Sequence, residues 1–370
     1  MKFSRSSNFE LMRIVCMLLI ILSHYACHGV MDVNSNYLAS NVPILNRLLC
    51  VNLAQWGGAA VGCFFMLSGY FLIEKERGKI IKIIVQAISY ALLTTLVYLI
   101  LYCFCDIQVF PKKDFLFWLY TIVLLPVSGS GWWFITAYIL MILITPYVNP
   151  FLQRLSKKRY IVLLILFWLL WGVLGLIASK FGKCNVNNIH KALLFYATGA
   201  YIKRFHSESQ SKNCLKIIFA LIISGIIYTV IRFFADSFDT NTLYKVIFVG
   251  FGKIFTTTVI VPVNAILIFI FFKNLRLPES KKINMIASST FGIYLFHDSQ
   301  FIRPVLWNQI IDVNSNLYPT AYFIILCIPI AICVFCLCFG IDSIMRKFAF
   351  PYFENILNSL FSLNTSKGEK

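Results

Sequence analysis

Two ionisable residues, Arg13 and His24, lie eleven positions apart in the first apolar segment of the chain. In an α-helix, eleven steps of about 100° return to within about 20° of the starting face and separate the two side chains by about 16 Å along the axis. Glu10 and His28 lie near the same stripe. Because ionisable groups in a membrane helix are costly, this stripe indicates a functional site.

His24 is suited to proton transfer, because an imidazole titrates near neutral pH. It lies about two-thirds of the way across the bilayer from the start of the helix, where it could instead make an interhelical hydrogen bond. Arg13 could bind a phosphate or a carbonyl group, or it could extend toward lipid headgroups. The shared helix face favours the functional interpretation for the pair.

Three further stretches carry residues suited to binding. The small residues of 57–70 would let a neighbouring helix or a ligand approach the backbone closely. Trp132 and Trp133 form either an aromatic belt at the membrane interface or a platform for stacking a sugar. His297 and Asp298 lie at one end of a predicted span, where the carboxylate could orient the imidazole or simply cap the helix.

Composition indicates a polytopic integral membrane protein. Of the 370 residues, 59% are hydrophobic and 13% are charged, too few to cover a soluble domain. The formal net charge of +18 comes from clusters of Lys and Arg between apolar runs. This distribution is typical of the cytoplasmic connections of a membrane protein, where positive charge accumulates, so we expect no nucleic-acid partner. The twelve cysteines lie mostly inside apolar runs, and we expect small buried side chains with no metal site and no disulfide framework.

The apolar runs predict an all-α fold of about ten transmembrane helices in one bundle. The predicted spans are 10–31, 51–73, 83–105, 131–152, 160–178, 189–204, 215–234, 246–272, 284–302 and 318–342. Residues 106–131 are predicted to form a re-entrant or interfacial segment on the outer side. The predicted domains are a transmembrane domain over 1–345 and a short basic cytoplasmic tail over 346–370.

The distribution of positive charge predicts that both termini are cytoplasmic. Lys and Arg concentrate in alternate connections, and two of these clusters are the most pronounced: Arg154, Lys157, Lys158 and Arg159, and then Lys273, Arg276, Lys281 and Lys282.

Taken together, Arg13 and His24, the run 64–69, the run 132–134 and the run 290–298 resemble the membrane acyltransferase-3 family. The resemblance covers about residues 8–342. It implies a multi-pass enzyme of the bacterial plasma (inner) membrane that moves an acetyl or other acyl group from a coenzyme A thioester to hydroxyls of envelope glycans. The chain is similar to the stand-alone polysaccharide O-acetyltransferases of that family.

By this resemblance, His24 matches the catalytic histidine and Arg13 its paired arginine. The resemblance also implies donor binding by Arg13, Ser68 and Gly69, with Phe64 and Phe65 in the same signature run. Some members carry two arginines after the second helix, where this chain offers only Arg77, and we expect Arg77 to bind the donor as well. We expect acceptor or supporting roles for Glu10, Trp132, Trp133, His297 and Asp298.

The resemblance implies acetyl-CoA as a donor substrate and a cell-surface polysaccharide or its lipid-linked precursor as acceptor, and we expect no permanently bound cofactor. His24 would act either as the general base or as the carrier of an acyl-histidine intermediate. The alternative is a transporter or flippase for a lipid-linked sugar, which the absence of an internal repeat in the sequence disfavours. A sensor or scaffold is a third alternative, and the oligomeric state stays open.

Overall fold

The computed structural model describes residues 6–74, 80–105, 107, 132–181, 186–206, 214–237 and 243–351, without the side chains of 171–187 and 243–247. Arg77 lies outside the described residues, and so does the predicted re-entrant or interfacial segment 106–131 apart from Ile107. The described residues are almost entirely helical and contain no strand, which confirms the all-α fold.

Thirteen α-helices make up the described part of the chain. They are α1 (Ser7–Ala26), α2 (Ile44–Leu72), α3 (Ile80–Cys105), α4 (Trp133–Arg154), α5 (Lys157–Phe181), α6 (Val186–Phe205), α7 (Cys214–Ser237), α8 (Leu243–Phe255), α9 (Val261–Asn274), α10 (Lys281–Ser288), α11 (Thr290–His297), α12 (Ile302–Val305) and α13 (Tyr322–Ile344). Short π-helical turns extend α1 over Cys27–Met31, join α8 to α9 over Thr256–Ile260, and extend α13 over Met345–Ala349.

Seven of the helical runs in the described residues are long and apolar enough to cross a membrane. They are Ser7–Met31, Ile44–Leu72, Ile80–Cys105, Trp133–Arg154, Cys214–Ser237, Phe248–Asn274 and Tyr322–Ala349. Large apolar side chains such as Phe219, Ile226 and Ile325 are exposed on these helices, as expected of a surface that faces lipid. The protein is therefore a multi-pass membrane protein, and the number of about ten spans stays a prediction.

One predicted span, 284–302, is wrong as a single helix. The structure divides it into α10 and α11, which meet at Ser289, and it continues into the short α12. The hydroxyls of Ser288 and Thr290 donate to the carbonyl oxygens of Met285 and Ala287. Such side-chain bonds compete with the backbone hydrogen bonds of a continuous helix, and apolar side chains could not form them. Because the helix breaks at Ser289, α11 begins as a separate helix inside the bundle, and almost all of its residues are buried.

Helix α1 lies at the centre of this arrangement and packs against α2, α9, α10, α11 and α13. Close packing with α2 depends on Gly57, since a Cβ there would overlap the side chain of Ser23. The Ser23 hydroxyl donates to the carbonyl of Ala54 across the same interface, at 3.1 Å. His24, the next residue, is thereby held at a fixed position in the bundle.

The two most pronounced basic clusters lie at the face of the bundle where α1 begins, which we call the N-terminal face. The backbone amide of Ser280 donates to the Ser7 hydroxyl at 2.8 Å, so the 273–282 cluster lies beside the start of α1. The end of α2 reaches the same face, because the rings of Phe9 and Tyr70 are 5.2 Å apart. The amide of Asn149 in α4 donates to the carbonyl of Leu72, which brings the 154–159 cluster to this face as well.

The predicted boundary between the transmembrane domain and the tail, between residues 345 and 346, falls within a continuous helical run, since α13 continues as a π-helical turn from Met345 to Ala349. Arg346 therefore belongs to the bundle rather than to an extended segment. Residues 352–370 lie outside the described residues, so the basic tail stays a prediction.

Candidate active site

Two histidines and an aspartate from distant parts of the chain meet beside α1. Nδ1 of His24 lies 3.1 Å from Nε2 of His297, the last residue of α11. The same Nδ1 lies 3.6 Å from Oδ1 of Asp298, the residue that follows α11. His297 and Asp298 are buried, whereas 15% of the His24 side chain is exposed, so His24 is the member of this cluster that a substrate can reach.

The hydrogen bonds of His297 fix the tautomer of His24. Nδ1 of His297 lies 2.6 Å from the carbonyl oxygen of Ile293, which can only accept, so this nitrogen carries the proton. In a neutral ring, Nε2 of His297 is then an acceptor, and Nδ1 of His24 must donate to it. Nε2 of neutral His24 is left with the lone pair that a general base or a nucleophile needs.

Asp298 is the carboxylate around which the histidines and an arginine of the cluster gather. Nε of Arg303 lies 2.9 Å from its Oδ1 as an ion pair without an aligned hydrogen bond, and Nη2 of Arg303 donates to the Asp298 carbonyl at 2.9 Å. Sequence reasoning missed Arg303. The sequence shows only an arginine five positions after the aspartate. This spacing predicts an ion pair only once α11 is known to end at His297.

His28 extends the cluster toward the face opposite the N-terminal face. Its Nδ1 bonds to Oδ2 of Asp32 at 2.6 Å, and its Nε2 lies 3.6 Å from Oδ1 of Asp298. The hydrogen bond from His28 lowers the pKa of Asp32, which keeps this exposed carboxylate ionised at neutral pH.

A cavity of about 310 Å³ runs beside α1 below this cluster. Arg13 lines it near the N-terminal face, where its Nη1 lies 3.3 Å from Oε2 of Glu10. Ile20 and Tyr294 line its far part, one helical turn before His24 and Asp298 respectively. The cavity therefore runs from a guanidinium to within about one helical turn of the imidazole cluster, along the stripe that the sequence predicts, and the residues of the cluster do not line it.

Comparison with protein families identifies the class of reaction for this site. The model of an acyltransferase domain family matches residues 6–338, most of the chain. The chain belongs to the membrane acyltransferase-3 family. No similar protein was found among curated proteins, and no similar fold among solved structures.

The second signature run of this acyltransferase has two different roles. Ser68 lines the cavity, and its hydroxyl donates to the carbonyl of Phe64 at 3.1 Å and to the Tyr138 hydroxyl at 3.2 Å. Gly69 instead faces α6, where an added Cβ would overlap the backbone carbonyl of Tyr196. Gly69 thus has a packing position between helices, and its contact with the donor stays a prediction.

The two tryptophans lie farther from the imidazole cluster of the acyltransferase. Trp132 is buried, and Trp133 packs edge-on to Phe134 and beneath the ammonium group of Lys191, 5.5 Å from its ring centre. Phe134 in turn contacts Tyr294, which lines the cavity. An acceptor role for Trp132 and Trp133 stays a prediction.

The cluster also has ligand atoms at metal-binding spacing. His24, His28 and Asp298 each offer one such atom within 4.8 Å of the others. Arg303 already supplies positive charge at Oδ1 of Asp298, the oxygen that a cation would need. Because a guanidinium and a divalent cation would repel each other at this distance, the residues present fit a hydrogen-bonded proton-transfer site better than a metal centre.

Proposed function

We propose that this membrane acyltransferase transfers an acetyl group from acetyl-CoA to a hydroxyl of a cell-surface polysaccharide or of its lipid-linked precursor. The observation that carries the proposal is the cavity that begins at Arg13 and ends one turn from His24 and Asp298. A thioester donor is long, charged at one end and reactive at the other, which matches a slot with a cation at its mouth and a base about one helical turn beyond its far end.

The donor enters from the N-terminal face in this proposal. The basic clusters gathered there favour a cytoplasmic location for that face, and hence for the N-terminus, in a bacterial plasma membrane. Acetyl-CoA is made in the cytoplasm, and the negative charge of its phosphates suits a basic surface. The acceptor then approaches from the opposite face, where His28 and Asp32 lie.

Two routes use the lone pair on Nε2 of His24. In the first, the imidazole takes the proton of the acceptor hydroxyl as its oxygen attacks the thioester carbonyl, and the CoA thiolate leaves. In the second, Nε2 attacks the thioester and the CoA thiolate leaves; the acceptor oxygen then takes the acyl group from the acyl-histidine as the hydroxyl proton passes to the thiolate. In both, His24 becomes cationic, and Asp298 at 3.6 Å stabilises that charge.

A comparison of surface glycans tests the proposal against a flippase. We expect a strain that lacks this protein to lose glycan-linked acetate while the amount of glycan at the surface is unchanged. Unchanged acetate with lipid-linked precursor accumulating at the inner leaflet would instead identify a flippase.

Cysteine labelling tests the orientation. We replace the native cysteines and introduce Lys158→Cys or Arg276→Cys, both exposed at the N-terminal face. In intact cells, these cysteines should resist an impermeant maleimide, since the positive-inside rule places them in the cytoplasm. The matched control is Ser35→Cys, exposed between α1 and α2 at the opposite face, which should react. Labelling of residue 158 or 276 from outside would contradict the proposed orientation.

A further inference from the structure

A second guanidinium lies at the mouth of the cavity. Arg346, on the π-helical extension of α13, lines the cavity together with Arg13 and with Ser288 at the end of α10. Sequence analysis placed Arg346 at the start of the basic tail, where it counted only as one more cytoplasmic charge. About a third of each arginine side chain is exposed (34% for Arg13 and 37% for Arg346), so both reach water at the N-terminal face.

Buried partners hold Arg346 in place. Its Nε donates to Oδ2 of Asp342 at 2.5 Å, and its Nη2 donates to the carbonyl of Ser288 at 2.5 Å. Asp342 is completely buried and also accepts a hydrogen bond from the Tyr90 hydroxyl at 2.7 Å. A basic residue that only obeyed the positive-inside rule would extend freely into solvent, whereas this one is fixed by three helices.

Several hydrogen-bond donors at the mouth of the cavity are unsatisfied among the described residues. Nε of Arg13 and Nε2 of Gln86, another residue that lines the cavity, are buried without a partner among the described residues. Nη1 of Arg346 is a further guanidinium donor at the same end. No acidic side chain lines the cavity in the part of the chain that the structure describes. Glu10 and Asp342 each pair with one of the two arginines from outside the cavity lining, and the donors that stay unsatisfied on the lining indicate a ligand with several acceptor oxygens.

We propose that Arg13, Gln86 and Arg346 form a subsite for the phosphate groups of a phosphopantetheine-type acyl thioester. This inference rests on the proposed function and deepens it, because it assigns the end of the donor that does not react. Arg13 lies about 16 Å along α1 from His24, a distance that an extended pantetheine arm spans. Phosphate bound at the mouth therefore leaves the thioester at the imidazole.

The test compares two donors that differ in their phosphates, acetyl-CoA and the phosphate-free acetylpantetheine, with the full-length protein in lipid nanodiscs. For Arg346→Gln, we expect the KM for acetyl-CoA to rise about tenfold or more, the effect of losing one charge-assisted hydrogen bond. The KM for acetylpantetheine should stay within about twofold of the unmodified protein, because that donor never used the guanidinium. Activity with this donor also reports that the variant is folded.

Lys347→Gln is the matched control, since it removes the same charge from the neighbouring exposed position, outside the cavity lining. It should change neither KM. If Arg346→Gln folds poorly, Arg346→Lys keeps a cation near Asp342 and should still raise the KM for acetyl-CoA selectively. An equal change for both donors, or no change for either, would overturn the phosphate subsite. Transfer from neither donor by the unmodified protein would instead remove the proposed function, and this inference with it.

Discussion

His24→Ala abolishes acyl transfer while the protein still inserts into the membrane, and this is the largest effect we expect from a single substitution. The imidazole of His24 is partly exposed, unlike the buried His297 and Asp298, and its Nε2 keeps a lone pair in the assigned tautomer. Loss of a positioned base or nucleophile costs about 10² to 10⁴ in rate. The measurement is acetate transferred to glycan per amount of membrane-inserted protein.

His190→Ala serves as the matched control. His190 lies in α6, where its Nε2 bonds to the carbonyl of Phe167 at 3.2 Å, away from the cluster around His24. It should leave the rate of transfer nearly unchanged. Normal glycan acetate with His24→Ala would show that the chemistry does not depend on this imidazole.

Asp298→Asn gives the second largest effect, a fall in kcat of about 10² or more with nearly unchanged affinity for acetyl-CoA. The carboxylate stabilises the charge that develops on His24 at 3.6 Å, and it neutralises Arg303 at 2.9 Å. An amide keeps the shape of the side chain but loses both effects. The measurement sets kcat beside the Kd for acetyl-CoA of the purified variant.

Asp32→Asn is the control for Asp298→Asn. Asp32 is an exposed carboxylate that bonds to His28 and lies farther from His24, so its loss should lower kcat far less. Equal losses of kcat and of donor binding in Asp298→Asn would indicate a collapsed bundle rather than a catalytic role for the carboxylate.

The part of the site that lies on α1 could be predicted from the sequence, because a helical period relates residues eleven positions apart without knowledge of the fold. The partners of His24 could not be placed in the same way. His297 lies 273 positions away in the chain, and only the packing of α11 against α1 brings the two rings together. The sequence singled out His297 and Asp298 by their place at the end of a predicted span, but it gave neither distances nor tautomers.

Arg303 and Arg346 show why spacing and charge alone do not place residues in a site. Arg303 lies beyond the predicted end of a span that the structure breaks at Ser289. Arg346 carries the charge expected of a cytoplasmic tail, and only the continuation of α13 turns it toward the cavity.

Transfer of isotope-labelled acetate by the purified protein in liposomes tests the central claim most directly. With labelled acetyl-CoA supplied at the N-terminal face and cell-surface glycan at the other, we expect label bound to glycan hydroxyls with the unmodified protein and none with His24→Ala. Glycan that stays unlabelled with the unmodified protein, or that is labelled equally by His24→Ala, would contradict acyl transfer at this imidazole.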